Sequence, residues 1–311
     1  GLADRMQHHG WLETLVHAKF PKHNLVFRNL AAAGDEVAGF TEKPDGKFRM
    51  RSENFGTSDD WLKRVQADVV WAFFGYNESF AGDAGLENFK SELTRVIKHT
   101  TSQNYSGKGN ARLVLFSPIA HEYIDTPNLP SKADVDASNA RLKAYSAAMG
   151  EVAKANGAQY VDLFTPTAEM FGKGAPHTIN GVHLNPNGDR LVAAIAERGL
   201  FPNGPVFKRD GAALERLLTA VKDKNFYWFN RYRVTDGYST YGDRAFLKFA
   251  EGPGGYGDGL SNYSVGQREL DVLDTLTSNR DKVIWETAQG KTVKADDSKL
   301  PEFIPVISPK G

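Results

Sequence analysis

The stretch Ala67-Asp68-Val69-Val70-Trp71-Ala72-Phe73-Phe74 decides the fold class of this chain. It is almost continuously apolar, and such a run is typical of a strand that is covered on both faces in a parallel sheet. It ends at Gly75-Tyr76-Asn77-Glu78-Ser79, where polar residues replace apolar ones. We therefore expect an α/β protein whose functional residues lie just beyond the ends of its buried strands.

The same alternation of strands and helices continues on both sides of this run. Right-handed crossovers would place the helices on both faces of a parallel sheet. The turn signals and apolar spacing predict further strands at residues 25–30, 112–117 and 160–164. They predict helices at residues 3–19, 59–66, 85–100, 134–156 and 189–198, and a polar surface loop at 41–57.

Length, charge and cysteine content limit the functions that this chain can have. Its 311 residues suffice for one large domain or for one domain with an appendage. The 38 basic and 38 acidic residues balance, so the sequence gives no indication of a nucleic-acid partner. No apolar run approaches the ~20 residues that a membrane span needs. The absence of cysteine excludes disulfides, thiolate metal sites and a cysteine nucleophile.

The character of the sequence changes near residue 203, where glycines and aromatic residues become frequent. We predict an α/β domain at residues 1–202, a helical and loop appendage packed on it at 203–288, and an extended Pro-containing tail or linker at 289–311. The aromatic run at residues 226–232 could stack sugars, although packing inside the appendage is the more common role for such residues.

One histidine follows a tight turn late in the α/β part, in Thr178-Ile179-Asn180-Gly181-Val182-His183-Leu184-Asn185. Asn180-Gly181 favours a turn because both residues accept positive φ, and Pro186 can begin the next helix. A histidine in this place is a common catalytic base, although His183 taken alone is more often structural. Gly34 follows one predicted strand and Asn77 follows the next. Their shared position at strand ends favours a common site.

The order of Gly34, then Gly75-Tyr76-Asn77, then Asn180 to Leu184 resembles that of the SGNH (GDSL-type) hydrolases, a family of esterases and lipases. The resemblance covers roughly residues 1–200. It implies a flavodoxin-like three-layer α/β/α sandwich with a parallel sheet. It also implies that Gly34 and Asn77 form the oxyanion hole and that His183 is the catalytic histidine.

What the family does implies a function for this chain. Many of its members deacetylate carbohydrates, which implies an esterase acting on O-acyl groups, chiefly acetyl groups, of a carbohydrate by a Ser-His mechanism. The expected partner is a small-molecule or glycan ester, and no cofactor or metal is expected. The whole chain, through Phe229-Asn230-Arg231-Tyr232-Arg233 and the Pro-rich tail, also resembles the SGNH-type domain of large multidomain proteins of planctomycetes. This second resemblance implies other domains of a larger protein as partners, and we expect a periplasmic or extracellular location.

The chain departs from the family pattern at two positions. Matching Leu2-Ala3-Asp4 to the residues that follow the family's serine puts Gly1 at the nucleophile position, without the strand that precedes it. We therefore expect residues upstream of Gly1, or another segment, to complete the sheet. The family's aspartate three residues before the histidine is replaced by Asn180. In a serine protease triad the same change costs about 10⁴ in turnover.

These departures keep a second function open, which is a catalytically silent module that binds glycan or a partner domain. Each candidate residue also has a structural explanation. Gly34 could be a turn glycine, and Asn77 could close an Asx-turn. Ser79 is a rival nucleophile, but it lacks a Gly-x-Ser-x-Gly elbow. Three further residues near strand ends are expected in surface loops rather than in the substrate site: His121, Glu122 and His177.

Overall fold

The computed structural model describes residues 1–40, 54–208, 211–248, 251–252, 255–256 and 260–302. Most of the loop predicted at 41–57, and the end of the predicted tail at 303–311, lie outside the described residues. The chain divides into two compact units. The first contains residues 1–15, 31–40 and 57–204, and the second contains 16–30, 54–56 and the described residues from 205 onwards. The three domains predicted from the sequence stay a prediction.

A parallel sheet forms the centre of the first unit. Its described strands are β1 (Val69–Phe73), β2 (Arg112–Phe116) and β3 (Gln159–Val161), in the order β1-β2-β3. Val69 lies opposite Arg112, and Val114 lies opposite Gln159. β2 is central, and its last two side chains are fully buried. This confirms the predicted α/β class with a parallel sheet.

Helices cover this sheet in the flavodoxin-like α/β/α arrangement. The 24-residue α5 begins with a capping box between Ser131 and Asp134, and α7 begins with Asn185 as its cap and a proline in its first turn. The helices up to residue 204 are α1 (Leu2–His9), α2 (Trp11–Lys19), α3 (Ser58–Arg64), α4 (Leu86–Ser102), α5 (Lys132–Ala155), α6 (Phe164–Met170) and α7 (Pro186–Leu200).

The single helix predicted at residues 3–19 is two helices, α1 and α2. Gly10 has φ 78°, in the left-handed region, and its N–H donates to the Met6 carbonyl at 2.8 Å. Glycine accepts this conformation without a Cβ clash, so it ends one helix and lets the next begin at once. The apolar spacing continues through the break, which is why the pattern alone suggested one helix.

The second unit is built on two long helices, α8 (Ala212–Tyr232) and α10 (Asn262–Ala288), which pack against each other. Leu217, Val221 and Ile284 are buried between them. Smaller elements of this unit are α9 (Gly237–Thr240), β4 (Glu251–Gly252) and β5 (Gly255–Tyr256). None of the helices in the described parts of the chain combines the length and the apolarity to cross a bilayer.

The strand predicted at residues 25–30 is wrong. These residues have no regular secondary structure, and they belong to the second unit. Side chains of α8 and α10, rather than a neighbouring strand, donate hydrogen bonds to their carbonyl groups. The donors are Trp285 Nε1 to Leu25 (2.7 Å), Lys224 Nζ to Phe27 (3.1 Å), Trp228 Nε1 to Asn29 (2.8 Å) and the Tyr232 hydroxyl to Leu30 (2.8 Å).

Candidate active site

The loop after β1 presents Asn77. Gly75 turns the chain at the end of the strand, and Asn77 precedes a short 3₁₀ turn at Glu78–Ala81. The Asn77 side chain does not cap that turn, so the Asx-turn explanation does not describe it. Its half-buried amide has no hydrogen-bond partner among the residues that the structure describes. The amide is therefore available to a ligand.

The loop that carries Gly34 lies beside the Asn77 loop. Gly34 has φ 88°, and its N–H has no hydrogen-bond partner within the described chain. Glu78 connects the two loops, because its Oε1 accepts from the Val37 N–H at 2.7 Å and its Oε2 accepts from the Gly75 N–H at 2.9 Å. The structure thus brings the two predicted oxyanion-hole residues into one loop cluster.

Burial raises the pKa of Glu78, whereas the two backbone N–H groups that it binds act in the opposite direction. Sequence reasoning missed this glutamate. Its position directly after Asn77, at the end of a buried strand, was the signal that could have identified it. Ser79, the rival nucleophile, is buried and donates its hydroxyl hydrogen to the Tyr76 carbonyl at 2.7 Å. The Ser79 hydroxyl therefore has a structural role in the turn rather than the free position that a nucleophile needs.

His183 sits in a loop that is closed by its own hydrogen bonds. The Ile179 N–H donates to the His183 carbonyl at 2.8 Å, and Thr178 pairs with Leu184 in an isolated antiparallel bridge. Asn180 Oδ1 lies 3.0 Å from the His183 backbone nitrogen and 3.0 Å from its Nδ1. The structure therefore places both predicted members of the histidine half, His183 and Asn180, in direct contact.

This contact fixes the tautomer of His183. A backbone N–H can only donate, so the Asn180 atom that it meets is the amide oxygen. The same oxygen must then accept from Nδ1, which carries the ring proton and leaves Nε2 as a lone-pair acceptor. Burial lowers the pKa of His183, and the nearby Arg5 guanidinium lowers it further. The imidazole is thus held neutral and ready to accept a proton.

A buried glutamate anchors the histidine loop from behind. Glu122 is 3% exposed, and it accepts the backbone N–H groups of His177 (3.0 Å) and Thr178 (2.8 Å) and the Thr178 hydroxyl (2.6 Å). The Thr178 hydroxyl oxygen in turn accepts from the Gly181 N–H at 2.9 Å. The prediction of a surface loop is wrong for Glu122 and His177, because both are buried. The Glu122 carboxylate can be buried because the N–H groups of His177 and Thr178 donate hydrogen bonds to it, and sequence spacing does not predict such long-range bonds.

Gly181 lets two loops approach each other. Its φ is 89°, and a Cβ at this position would lie 2.7 Å from the His121 ring and 2.8 Å from the Glu122 carbonyl oxygen. The Glu122 N–H also donates to the Gly181 carbonyl at 2.8 Å. Any other residue at 181 would push the histidine loop away from the loop after β2. Asn139 fixes that second loop by bonding the His121 backbone N–H and carbonyl.

Three observations relate the histidine loop to the other candidates. Tyr76, beside Asn77, packs against a core cluster that includes Ala120, next to the His121 loop. Gly1 is the N-cap residue of α1, and its backbone nitrogen lies within electrostatic reach of the His183 imidazole. Within the described chain, no hydrogen bond joins His183 directly to Gly34 or Asn77.

Asp189, in the first turn of α7, is a further acid that sequence reasoning missed. It is 1% exposed, and neither carboxylate oxygen has a partner in the described parts of the chain. Burial raises its pKa to about 8. The described residues contain no group of three His, Cys, Asp or Glu side chains that could hold a metal ion.

Comparison with known proteins identifies the family. The sequence model of the GDSL-like lipase/acylhydrolase family matches residues 4–191, which is more than half of the chain. No curated protein matches the chain in sequence. Among solved structures, an acetyl xylan esterase, AlAXEase, aligns at 23% identity over 44% of this chain and 69% of its own, with a TM-score of 0.33. LAE5, an alpha/beta hydrolase from the metagenome of Lake Arreo, Spain, aligns at 15% identity over 46% and 66%, with a TM-score of 0.31.

Proposed function

The chain belongs to the GDSL-like lipase/acylhydrolase family, and from this premise we propose that it is an esterase that removes O-acyl groups, chiefly acetyl, from a carbohydrate. Ester hydrolysis is the reaction class that the family supports. The observation that carries the proposal is the state of His183, whose Nε2 is an unprotonated acceptor oriented through Nδ1 by Asn180. A neutral, oriented imidazole is what a general base requires.

In the proposed reaction, His183 Nε2 accepts the proton of a hydroxyl nucleophile as that oxygen attacks the acyl carbonyl. The resulting imidazolium then protonates the leaving alcohol of the carbohydrate, which leaves the acyl group on the nucleophile. In the second half of the reaction His183 takes a proton from a water molecule that attacks this acyl group, and the imidazolium returns the proton to the nucleophile as the carboxylic acid leaves. The low pKa of His183 keeps the base neutral near pH 7. Asn180 holds the ring but brings no negative charge to stabilise the imidazolium, so the base is weaker than one paired with a carboxylate.

The Gly34 N–H and the Asn77 amide are the proposed donors to the tetrahedral oxyanion. Both groups lack hydrogen-bond partners in the described chain, and Glu78 ties their loops together. An uncharged N–H donor interacts more strongly with the oxyanion of the transition state than with the neutral carbonyl of the bound substrate, so it favours the transition state. The loss of one such donor typically costs ~3 kcal/mol of transition-state stabilisation.

The family pattern has its serine nucleophile at the position that Gly1 occupies in this sequence. The location of Gly1 within electrostatic reach of the His183 imidazole supports this alignment. The carbohydrate assignment rests on the family resemblance, and exposed aromatic residues near the candidate loops support it. Phe80 is 66% exposed three residues after Asn77, and Tyr123 is 40% exposed directly after Glu122. Such rings can stack on sugar faces. We also propose a periplasmic or extracellular location and other domains as partners.

The second candidate function is a catalytically silent module that binds glycan. The amide of Asn180 favours this second function, because a catalytic histidine without a carboxylate partner has a much lower turnover rate. Glycine at the nucleophile position favours it as well. The two candidates share the same loops and differ in whether an acyl bond breaks.

The test uses the natural protein at its full length. We would measure acetate release from an O-acetylated oligosaccharide, and hydrolysis of aryl acetate and aryl octanoate esters, and binding of the deacetylated oligosaccharide. Hydrolysis of the acetylated sugar and of the acetate ester, with a slower octanoate reaction, is the expected result. Faster octanoate than acetate hydrolysis would overturn the proposed substrate class. Oligosaccharide binding without any hydrolysis would establish the silent module instead.

A further inference from the structure

We propose that Glu78 is a positioning residue that sets the spacing between the Gly34 N–H and the Asn77 amide at the oxyanion. This inference rests on the proposed function, because it concerns the geometry of the same site. Glu78 lies next to Asn77 in the chain and binds one backbone N–H of each loop, at Val37 and at Gly75.

The bridging geometry is specific. Val37 is three residues beyond Gly34, and Gly75 is two residues before Asn77, so each bond fixes a loop close to its proposed donor. The two bonds use different carboxylate oxygens, at 2.7 Å and 2.9 Å. A single rigid carboxylate therefore sets the distance between the two loops. Bonds from backbone N–H groups to a carboxylate are charge-assisted and stronger than neutral ones.

Glu78 is not needed to end or cap a regular element. The long helix α4 starts later in the chain, and the 3₁₀ turn at Glu78–Ala81 has no side-chain cap. The neighbouring Ser79 closes this turn through its own bond to the Tyr76 carbonyl. The Glu78 carboxylate instead binds the two loops that carry the proposed donors. Keeping a half-buried carboxylate at position 78 costs free energy of desolvation. A neutral side chain could make a purely structural contact without that cost.

Glu78→Gln separates positioning from general stability. A glutamine can accept one of the two N–H groups with its oxygen, but its NH₂ then faces the second donor and cannot accept from it. One link between the loops is lost while size and shape are kept. A donor misplaced by about 1 Å can reduce the rate about 10²-fold. We therefore expect kcat to fall about 10- to 100-fold, with KM changed by less than about threefold.

The decisive readout is a double-mutant cycle with Asn77→Ala, with activity corrected for the folded fraction of each variant. If Glu78 acts through the spacing of the two donors, its loss matters little once one donor is absent. Asn77→Ala/Glu78→Gln should then be less than about threefold slower than Asn77→Ala alone. The matched control is Glu87→Gln, which removes an exposed carboxylate on α4 that pairs with Lys90 and should leave kcat unchanged.

The possible outcomes are distinguishable. Full multiplication of the two single effects would overturn the inference, because it would mean that Glu78 acts independently of the oxyanion donors. An active wild type whose kcat is unaffected by Glu78→Gln would overturn it as well, while leaving the proposed function intact. A wild type without ester hydrolysis would overturn the proposed function and this inference together.

Discussion

The two halves of the candidate site are held in different ways. In the histidine half, the base is bound on both its backbone N–H and its Nδ1 by Asn180, and the loop is anchored on the buried Glu122. In the oxyanion half, the donors at Gly34 and Asn77 are unengaged within the described chain, and the half-buried Glu78 connects their loops.

This difference separates two requirements of catalysis. A general base must be held in one tautomer and one direction, so its hydrogen bonds are satisfied within the protein. Oxyanion donors must stay unsatisfied until the transition state forms, so their positions are fixed by contacts behind them. Changes in the histidine half should therefore alter the base itself, whereas changes in the oxyanion half should alter only transition-state binding.

The largest effect is expected from Asn180→Asp. A carboxylate 3.0 Å from Nδ1 would stabilise the imidazolium, and the kcat of ester hydrolysis should rise by up to about 10⁴-fold. The same carboxylate should raise the pKa of His183, so the rising limb of the pH–rate profile should move to higher pH. Rates from about pH 5 to 9 for both proteins test this. An unchanged profile would mean that His183 is not the base.

In the oxyanion half, Asn77→Ala should lower kcat about 10²- to 10³-fold, because it removes one proposed donor to the oxyanion. KM should change little, since the donor is engaged mainly in the transition state. Steady-state kinetics on an aryl acetate measure both constants. A raised KM with a normal kcat would show that Asn77 binds the substrate in its ground state. The oxyanion half would then not act on the transition state alone, and the contrast with the histidine half would be lost.

The smallest effect concerns stability rather than rate, and it lies at the helix that follows the histidine loop. The folded-state pKa of Asp189 is about 8, above its ordinary value of 3.8. The wild type should lose stability as pH rises between these values, because the unfolded chain releases a proton that the folded chain retains. The amide introduced by Asp189→Asn does not titrate. This variant should therefore be increasingly the more stable protein from about pH 4 to 8, by on the order of a few kcal/mol.

Denaturant unfolding at about pH 4.5, 6 and 8 measures this difference. Above about pH 8 the gap should stop growing, since both states of the wild type are then ionised. A constant gap across the series would mean that the pKa of Asp189 is the same in the folded and the unfolded chain, and it would contradict the effect of burial. Activity at about pH 6 serves as the control, because Asp189 makes no contact with His183 among the described hydrogen bonds.

The sequence predicted the parallel sheet, but it did not predict correctly which apolar segments form strands. Residues 69–73 and 25–30 were both predicted to be strands, yet only the first segment is one, and the second also contains Arg28 and Asn29. β1 finds a parallel neighbour in β2. The carbonyls of residues 25–30 are instead bound by Trp, Lys and Tyr side chains from α8 and α10, which lie far later in the chain. A short apolar run does not identify the groups that bind its backbone, because tertiary contacts set them.

The site shows the same limit. Asn180 and His183 were predicted from the family resemblance, in which an acid lies three residues before the histidine, and the structure places the two side chains in contact. The position of Glu78 after Asn77 could have drawn attention to it, but the bond from Val37 to Glu78, across 41 residues, and the bond from His177 to Glu122, across 55 residues, could not be predicted from sequence spacing. Asp189 looked like an ordinary acid in the first turn of a helix, and only its burial sets it apart. Sequence spacing predicts contacts between neighbouring residues, whereas contacts between distant residues can be identified only from the three-dimensional structure.

The proposed function depends above all on His183 acting as a neutral general base for ester hydrolysis. The most direct test is the kcat of the natural full-length protein and of His183→Ala on an aryl acetate at about pH 7.5, with the folded state of both checked by thermal unfolding. We expect His183→Ala to lower kcat about 10²- to 10⁴-fold and to leave the melting transition unchanged. Equal rates for the two folded proteins would contradict it and would leave the chain as a binding module.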